Sequence, residues 1–276
     1  MTPAVTALFR RGGPFFLIAG PCLLEGDAIN IGVAEHLAEL SAELSLPVIF
    51  KASFDKANRS REGAVRGPGL EAGLRLLERV GQATGLPLLT DIHEPHQAAS
   101  AAQVCDVLQV PAFLSRQTDL VSACAGTGRA INLKKGQWMA PEEMRGAAAK
   151  CRAAGAAALA VTERGTFFGY GDLVVDMRSF ARLREATDAP AVFDGTHSVQ
   201  RPGLAQGASG GNPECIPALV RAAIAGGADG LFMETHPDPG SAPSDATNML
   251  PLERLRPLLL QVLEIRAAIS RVAAHV

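Results

Sequence analysis

Residues 230–239 read GLFMETHPDP. The apolar start has the composition of a buried strand, yet it runs straight into Glu234, Thr235 and His236 before two prolines, and burying a carboxylate without a partner is costly. An apolar run of strand length, in most cases with a polar side chain at or near its end, recurs upstream. It is found in FFLIAG (15–20), PVIFKAS (47–53), PLLTDI (87–92), DVLQV (106–110), RAINLKK (129–135), AALAVTE (157–163) and AVFDGTH (191–197). Longer segments of helical period lie between these runs, among them AINIGVAEHLAELSAEL and GPGLEAGLRLLERVGQATGLP, and PLERLRPLLLQVLEIRAAISRV follows the last. The Ala-rich GAAAKCRAAGAAALA parses as a helix end, a Gly stop and the next strand. Such alternation is the signature of βαβ units and a parallel sheet.

Eight units without a Ser/Pro linker or a composition shift predict one closed (β/α)8 TIM barrel over residues 1–276, with 1–14 a short N-terminal extension. Two doubly wound halves are the competing arrangement. A chain of 276 residues with 47% hydrophobic content can bury a large core. Its formal net charge of −2 gives no general attraction to nucleic acid or to an anionic membrane, so any basic site must be a local pocket. Five cysteines without a C-x-x-C pair suit a reducing cytoplasm rather than a disulfide framework. The apolar run near the N-terminus is too short for a span and is interrupted by Gly and Pro too soon for a signal peptide. The expected partner is a small molecule or another copy of the chain.

Barrel enzymes carry their chemistry at the C-terminal ends of the strands. There the sequence places Cys22; Lys51 and Lys56; Asp91 and His93; Gln109; Asn132, Lys134 and Lys135; Glu163 and Arg164; Asp194 and His197; Glu234 and His236. Cys22, His197, Glu234 and Asp245, from SDATN, mix sulfur, nitrogen and oxygen donors that suit a borderline divalent ion. Each also has a plain structural reading, Cys22 as a small buried hydrophobe and the others as hydrogen-bonded or capping residues. Lys51, Lys56, Arg59, Lys134, Arg164 and Arg116 form a cation set that would bind phosphate or carboxylate if aimed into one mouth, and would be solvated surface charges otherwise. A Schiff-base lysine is a further reading, for which Lys51, Lys56, Lys134 and Lys135 all qualify by position. SGG at 209–211 is either an anion-binding helix entry or a flexible loop.

FKASFDKANRS (50–60) resembles a signature of the 3-deoxy-D-manno-octulosonate 8-phosphate synthase family. TDIHEP (90–95), QVPAFLSRQTDL (109–120), INLKKGQW (131–138), TERGTFFGYGDLVVDMRS (162–179), FDGTHSVQ (193–200) and FMETHPDP (232–239) follow in the family's order. The resemblance implies condensation of phosphoenolpyruvate with D-arabinose 5-phosphate and water, a step in making an inner-core sugar of lipopolysaccharide. The sister family that uses erythrose 4-phosphate normally carries K-P-R-[ST] where this chain has KANRS. A non-catalytic sugar-phosphate-binding barrel is the alternative of another class.

Carried over by position, the resemblance implies one divalent metal ion, Zn, Fe or Mn, on Cys22, His197, Glu234 and Asp245; the metal-independent branch has Asn in place of Cys22. It implies phosphoenolpyruvate on Lys51, Lys56, Lys134 and Arg164, and arabinose 5-phosphate on Asn58, Arg59 and Ser60, with Asp91 and Gln109 also facing substrate. Catalytic work falls to Lys56, Asn58, His197 and Asp245. Arg116 would reach the sugar phosphate of a neighbouring subunit in a homotetramer. The chain departs from the family at REGAVRGPG after KANRS, where S-I-H-S-[FY]-R-G is common, and at Gly195, where Ala is usual. RPGLAQGASGG (201–211) is expected to be a mobile lid, and His236 to fix a loop.

Overall fold

The computed structural model describes residues 4–57, 63, 65–167, 171–205 and 208–273. Eight parallel strands close into a barrel: β1 (Phe16–Gly20), β2 (Val48–Lys51), β3 (Leu88–Asp91), β4 (Val107–Val110), β5 (Ala130–Lys134), β6 (Ala158–Glu163), β7 (Ala191–Asp194) and β10 (Gly230–His236). Neighbours in sequence are neighbours in the sheet, and β10 pairs back onto β1 with Phe232 beside Ile18. Every run expected to be a strand is one, and two doubly wound halves are excluded. An antiparallel hairpin, β8 (Gln200–Ala205) with β9 (Ala208–Gly211), follows β7 and takes up the expected lid sequence. The SGG glycines lie in β9, not at a helix entry. A two-residue strand, β11 (Leu250–Pro251), extends the edge of β10.

The outer layer is α2 (Asp27–Leu44), α3 (Leu70–Thr84), α4 (Ala98–Val104), α5 (Thr118–Ala125), α6 (Met144–Ala153), α7 (Ser179–Thr187), α8 (Ile216–Ala225) and α9 (Leu255–Ala273). Leu74, Leu77 and Val80 of α3 recur at helical spacing and are buried against the barrel, and Gly85 ends that helix in the left-handed region at φ 68°. No described helix is long and apolar enough to cross a membrane.

Side chains alternate across a strand, and this parity builds the site. Phe16, Ile18, Ile49, Leu89, Val107, Ala130, Ala160, Val192 and Phe232 form a buried cluster inside the barrel. Their neighbours of opposite parity, such as Leu17, Phe50, Leu108, Val161 and Leu231, belong to the larger core under the helices. Moving up two residues from the inner cluster reaches Lys51, Asp91, Gln109, Asn132, Thr162, Asp194 and Glu234, and two more reach Lys134 and Arg164. Apolar filling below thus gives way to polar groups above.

The N-terminal extension is part of this packing. It forms the short helix α1 (Val5–Leu8), and Leu8 and Phe9 join the inner cluster, with the Phe9 and Phe16 rings 5.3 Å apart. Phe9→Ala is expected to lower unfolding free energy by about 3 kcal/mol, the usual cost of emptying a buried Phe site. Denaturant titration checks this, and unchanged stability would mean that the extension merely rests on the barrel.

Gly195 also finds its reason in packing. A Cβ there would lie 2.7 Å from Met233 Sδ and 2.9 Å from Val220 Cγ2, so this chain's departure to Gly is matched to its neighbours on β10 and α8.

Candidate active site

Cys22 follows β1, Glu234 is carried by β10, and Asp245 stands in the loop before β11. Their donor atoms lie within 4.8 Å of one another. The Cys22 thiol is 3.0 Å from Asp245 Oδ2 and 3.1 Å from Ser244 Oγ. Asp245 has φ 51°, a left-handed conformation that is uncommon away from Gly and tends to occur at functional sites. Burial, then the Asp245 and Glu234 carboxylates, push the thiol well above its ordinary range. A divalent cation would reverse that balance, because it favours the thiolate and neutralises the acids. The three residues therefore fit a thiolate- and oxygen-binding ion.

His197 adjoins this group. Its Nε2 is 3.7 Å from Glu234 Oε2, while its Nδ1 is 2.8 Å from Asp194 Oδ2. Glu234 also holds the amine of Lys51, at 2.5 Å, and Lys51 donates to the Cys22 carbonyl at 3.0 Å. Burial would raise the Glu234 carboxyl, but Lys51, His197 and Lys56 outweigh it and keep the group below its usual value.

The other cations converge from separate strands. Lys134 bonds to Asp194 and sits over the Phe232 ring, 3.6 Å from its centroid. Burial lowers the Lys134 amine, with Asp194 opposing. Lys56 donates to Ser53 Oγ at 2.9 Å; burial works against its charge, but Cys22, Glu234, Asp91 and Asp245 prevail and keep it raised. Arg164 donates to Gln200 Oε1 and to the His197 carbonyl, and its Nη1 is buried without a hydrogen-bond partner among the described residues. An orphaned buried donor is costly, and an anion in the mouth would satisfy it. Gln200, at the root of the hairpin, also donates to Asp245 Oδ1 at 3.2 Å, tying the hairpin to both halves of the site.

Lys135 and Glu163 are corrected by the structure. Both were expected among the mouth residues, but each is one residue out of phase with Lys134 or Arg164. They meet behind the barrel wall at 3.4 Å, where Lys135 also donates to the carbonyls of Gly136 and Met139 and to Thr166 Oγ1. A Lys135 so enclosed is a structural residue, which removes it from the Schiff-base reading. His236 fixes a loop: its Nδ1 lies 2.7 Å from the Asp238 carbonyl oxygen and 3.1 Å from Asp238 N, and its Nε2 lies 3.0 Å from Glu25 Oε1.

Asn58, Arg59 and Ser60 lie outside the described residues. Arg116 is exposed, three residues after Phe113, whose ring stacks on Trp138 at 5.7 Å. Asp91 and Gln109 are buried in the floor of the mouth, joined at 2.6 Å. Sequence reasoning missed Gln200, Ser53 and Ser244 as members of the site, and it placed Asp194 at the mouth without giving it a role. For Asp194 the available signal was its parity with Val192.

The profile of the DAHP synthetase I family matches residues 6–271. The chain is 54% identical over 259 residues to a 2-dehydro-3-deoxyphosphooctonate aldolase of Alkalilimnicola ehrlichii, covering 93% of each chain. A protein of the same name from Syntrophotalea carbinolica is 52% identical over 95% of this chain and 94% of its own. Another from Koribacter versatilis is 49% identical, covering 95% of each.

Proposed function

Since the chain belongs to the DAHP synthetase I family and matches the 2-dehydro-3-deoxyphosphooctonate aldolases over nearly its whole length, we infer that it is the enzyme that joins phosphoenolpyruvate to D-arabinose 5-phosphate. With water, the products are 3-deoxy-D-manno-octulosonate 8-phosphate and inorganic phosphate, in the making of the lipopolysaccharide inner core. The observation that carries this reading is the meeting of Lys51, Lys56, Lys134 and Arg164, all largely buried, at one barrel mouth in a chain of net charge −2. Two phosphorylated substrates need that many cations close together.

In the reaction C3 of phosphoenolpyruvate bonds to the aldehyde carbon, water adds to C2, and phosphate leaves by cleavage of the C–O bond. The protein must first hold two polyanions in contact, and the cation set lowers their repulsion and fixes their approach. Arg164 offers its unpartnered Nη1 and Lys134 a buried ammonium to the phosphoenolpyruvate anion; Lys56 stays charged under the pull of its acidic neighbours. Asn58, Arg59 and Ser60 would hold the sugar phosphate, and Arg116 would reach across to a neighbouring subunit of a homotetramer. His197 and Asp245 complete the catalytic set with Lys56 and Asn58. The expected setting is the cytoplasm.

A divalent ion, Zn, Fe or Mn, would be held by Cys22, Glu234 and Asp245 with His197 beside Glu234, and would supply Lewis acidity to the aldehyde or to water. The donor chemistry of these residues supports that reading, as does the presence of Cys where the metal-independent branch has Asn.

Phosphate release from phosphoenolpyruvate, measured with arabinose 5-phosphate and separately with erythrose 4-phosphate, tests the proposal. Release with the five-carbon acceptor is expected. Release only with the four-carbon one would reassign the chain to the sister activity, and release with neither would leave a binding barrel. Arg59→Ala should raise KM for arabinose 5-phosphate by about tenfold or more, the cost of a lost charge-assisted contact, with little effect on KM for phosphoenolpyruvate. Equal losses for both substrates would contradict the role given to KANRS.

A further inference from the structure

A single file of hydrogen bonds crosses the floor of the mouth from β6 to the end of β2. Thr162 Oγ1 donates to Asn132 Oδ1 at 2.8 Å, Asn132 Nδ2 to Gln109 Oε1 at 2.7 Å, and Gln109 Nε2 to Asp91 Oδ1 at 2.6 Å. From the other end, Lys56 Nζ donates to Ser53 Oγ at 2.9 Å and Ser53 Oγ donates to Asp91 Oδ2. Thr162, Asn132, Gln109, Asp91 and Ser53 are all buried.

The direction of every bond in the file is forced. An ammonium can only donate, so Ser53 accepts from Lys56 and gives its one hydrogen to Asp91. An ionised carboxylate can only accept, so Gln109 must turn its amino end to Asp91 and its carbonyl to Asn132. Asn132 must then give an N–H to Gln109 and turn its own carbonyl to Thr162, whose hydroxyl closes the file. The two ends of a carboxamide have nearly the same shape, so only these partners choose between its orientations. Reversing Gln109 would put its carbonyl against the Asp91 carboxylate, acceptor against acceptor, in a buried setting where such an error is expensive.

We propose that Asn132 and Thr162 are positioning residues for phosphoenolpyruvate, which hold the Gln109 amide in the orientation that Asp91 requires and, through Asp91 and Ser53, steady the direction of the Lys56 ammonium. The proposal rests on the functional reading above, in which Lys56 and Gln109 face substrate. Neither Asn132 nor Thr162 carries charge, and both act only through the file.

The test uses Thr162→Val, which keeps the shape and removes the terminal donor; Thr162→Ser, which restores it; and Asn132→Asp, which sets an acceptor against the Gln109 carbonyl. Phosphoenolpyruvate binding to the purified enzyme is measured by calorimetry, alongside KM for each substrate, kcat and thermal melting. Thr162→Val and Asn132→Asp should weaken phosphoenolpyruvate binding by about tenfold or more, the scale of one misdirected buried hydrogen bond, with KM for arabinose 5-phosphate unchanged and Thr162→Ser close to wild type. Unchanged phosphoenolpyruvate affinity in Thr162→Val and Asn132→Asp overturns the positioning role. So does a Thr162→Ser protein as impaired as Thr162→Val, which would make packing the cause. A wild-type protein that binds no phosphoenolpyruvate instead overturns the functional reading, and this proposal with it.

Discussion

Asp194→Asn should lower kcat/KM for phosphoenolpyruvate by about a thousandfold and destabilise the fold by about 3 kcal/mol, the low end of what breaking a buried ion pair costs. The size follows from how fully the carboxylate is used. One oxygen accepts from the backbone N–H groups of Thr196 and His197 at 3.1 and 2.8 Å; the other meets Lys134 and His197 Nδ1. An amide has a single acceptor oxygen, so in either orientation its NH2 faces a donor. The loop that carries His197 is released, or Lys134 loses its counter-ion. Burial already depresses the Lys134 amine, and without Asp194 the charged form loses its main support, leaving less charge for the anion. Steady-state kinetics and a melting curve check both effects. Wild-type kcat/KM in the variant would show that Lys134 needs no fixed counter-ion.

Removal of the proposed metal ion is expected to be nearly as severe. With the Cys22, Glu234 and Asp245 donors within 4.8 Å of one another, treatment with a strong chelator should cut turnover at least about a hundredfold, since Lewis-acid stabilisation is worth several kcal/mol. Added Zn, Fe or Mn should restore it, and the order of restoration would rank the ions. Full turnover in protein shown by elemental analysis to be metal-free would place the chain with the metal-independent branch despite Cys22.

The barrel was legible because its two periods are clean. PVIFKAS and PLLTDI read as strands between segments of helical spacing, and Gly85 and Gly155 mark where helices stop. The ends of strands were less exact, as RAINLKK, which yields only Ala130–Lys134, shows. In the site, position was legible but facing was not. Lys134 and Lys135 are adjacent and chemically alike, and only the register of β5 against its neighbours decides which enters the mouth. Asp194 was placed at the mouth but given no role, because the Asp-Gly pair in FDGTH also reads as turn chemistry, and a turn-forming Asp looks the same in sequence as one that accepts from a buried lysine. The hydrogen-bond file through Asn132 and Gln109 was illegible for another reason: from Thr162 to Asp91 its successive members are 18 to 30 residues apart and meet only when the barrel closes.

The out-of-phase pair Lys135–Glu163 has an evolutionary meaning. Loss of one codon within β6 ahead of Glu163 would draw the strand back by a residue, turning Glu163 toward the mouth and Arg164 away from it, so that a positive wall of the mouth becomes negative. A length change there acts as a reversal of charge as well as a packing fault. Insertions and deletions in descendants of this gene should therefore gather in the segments that join strands to helices and spare the strands themselves.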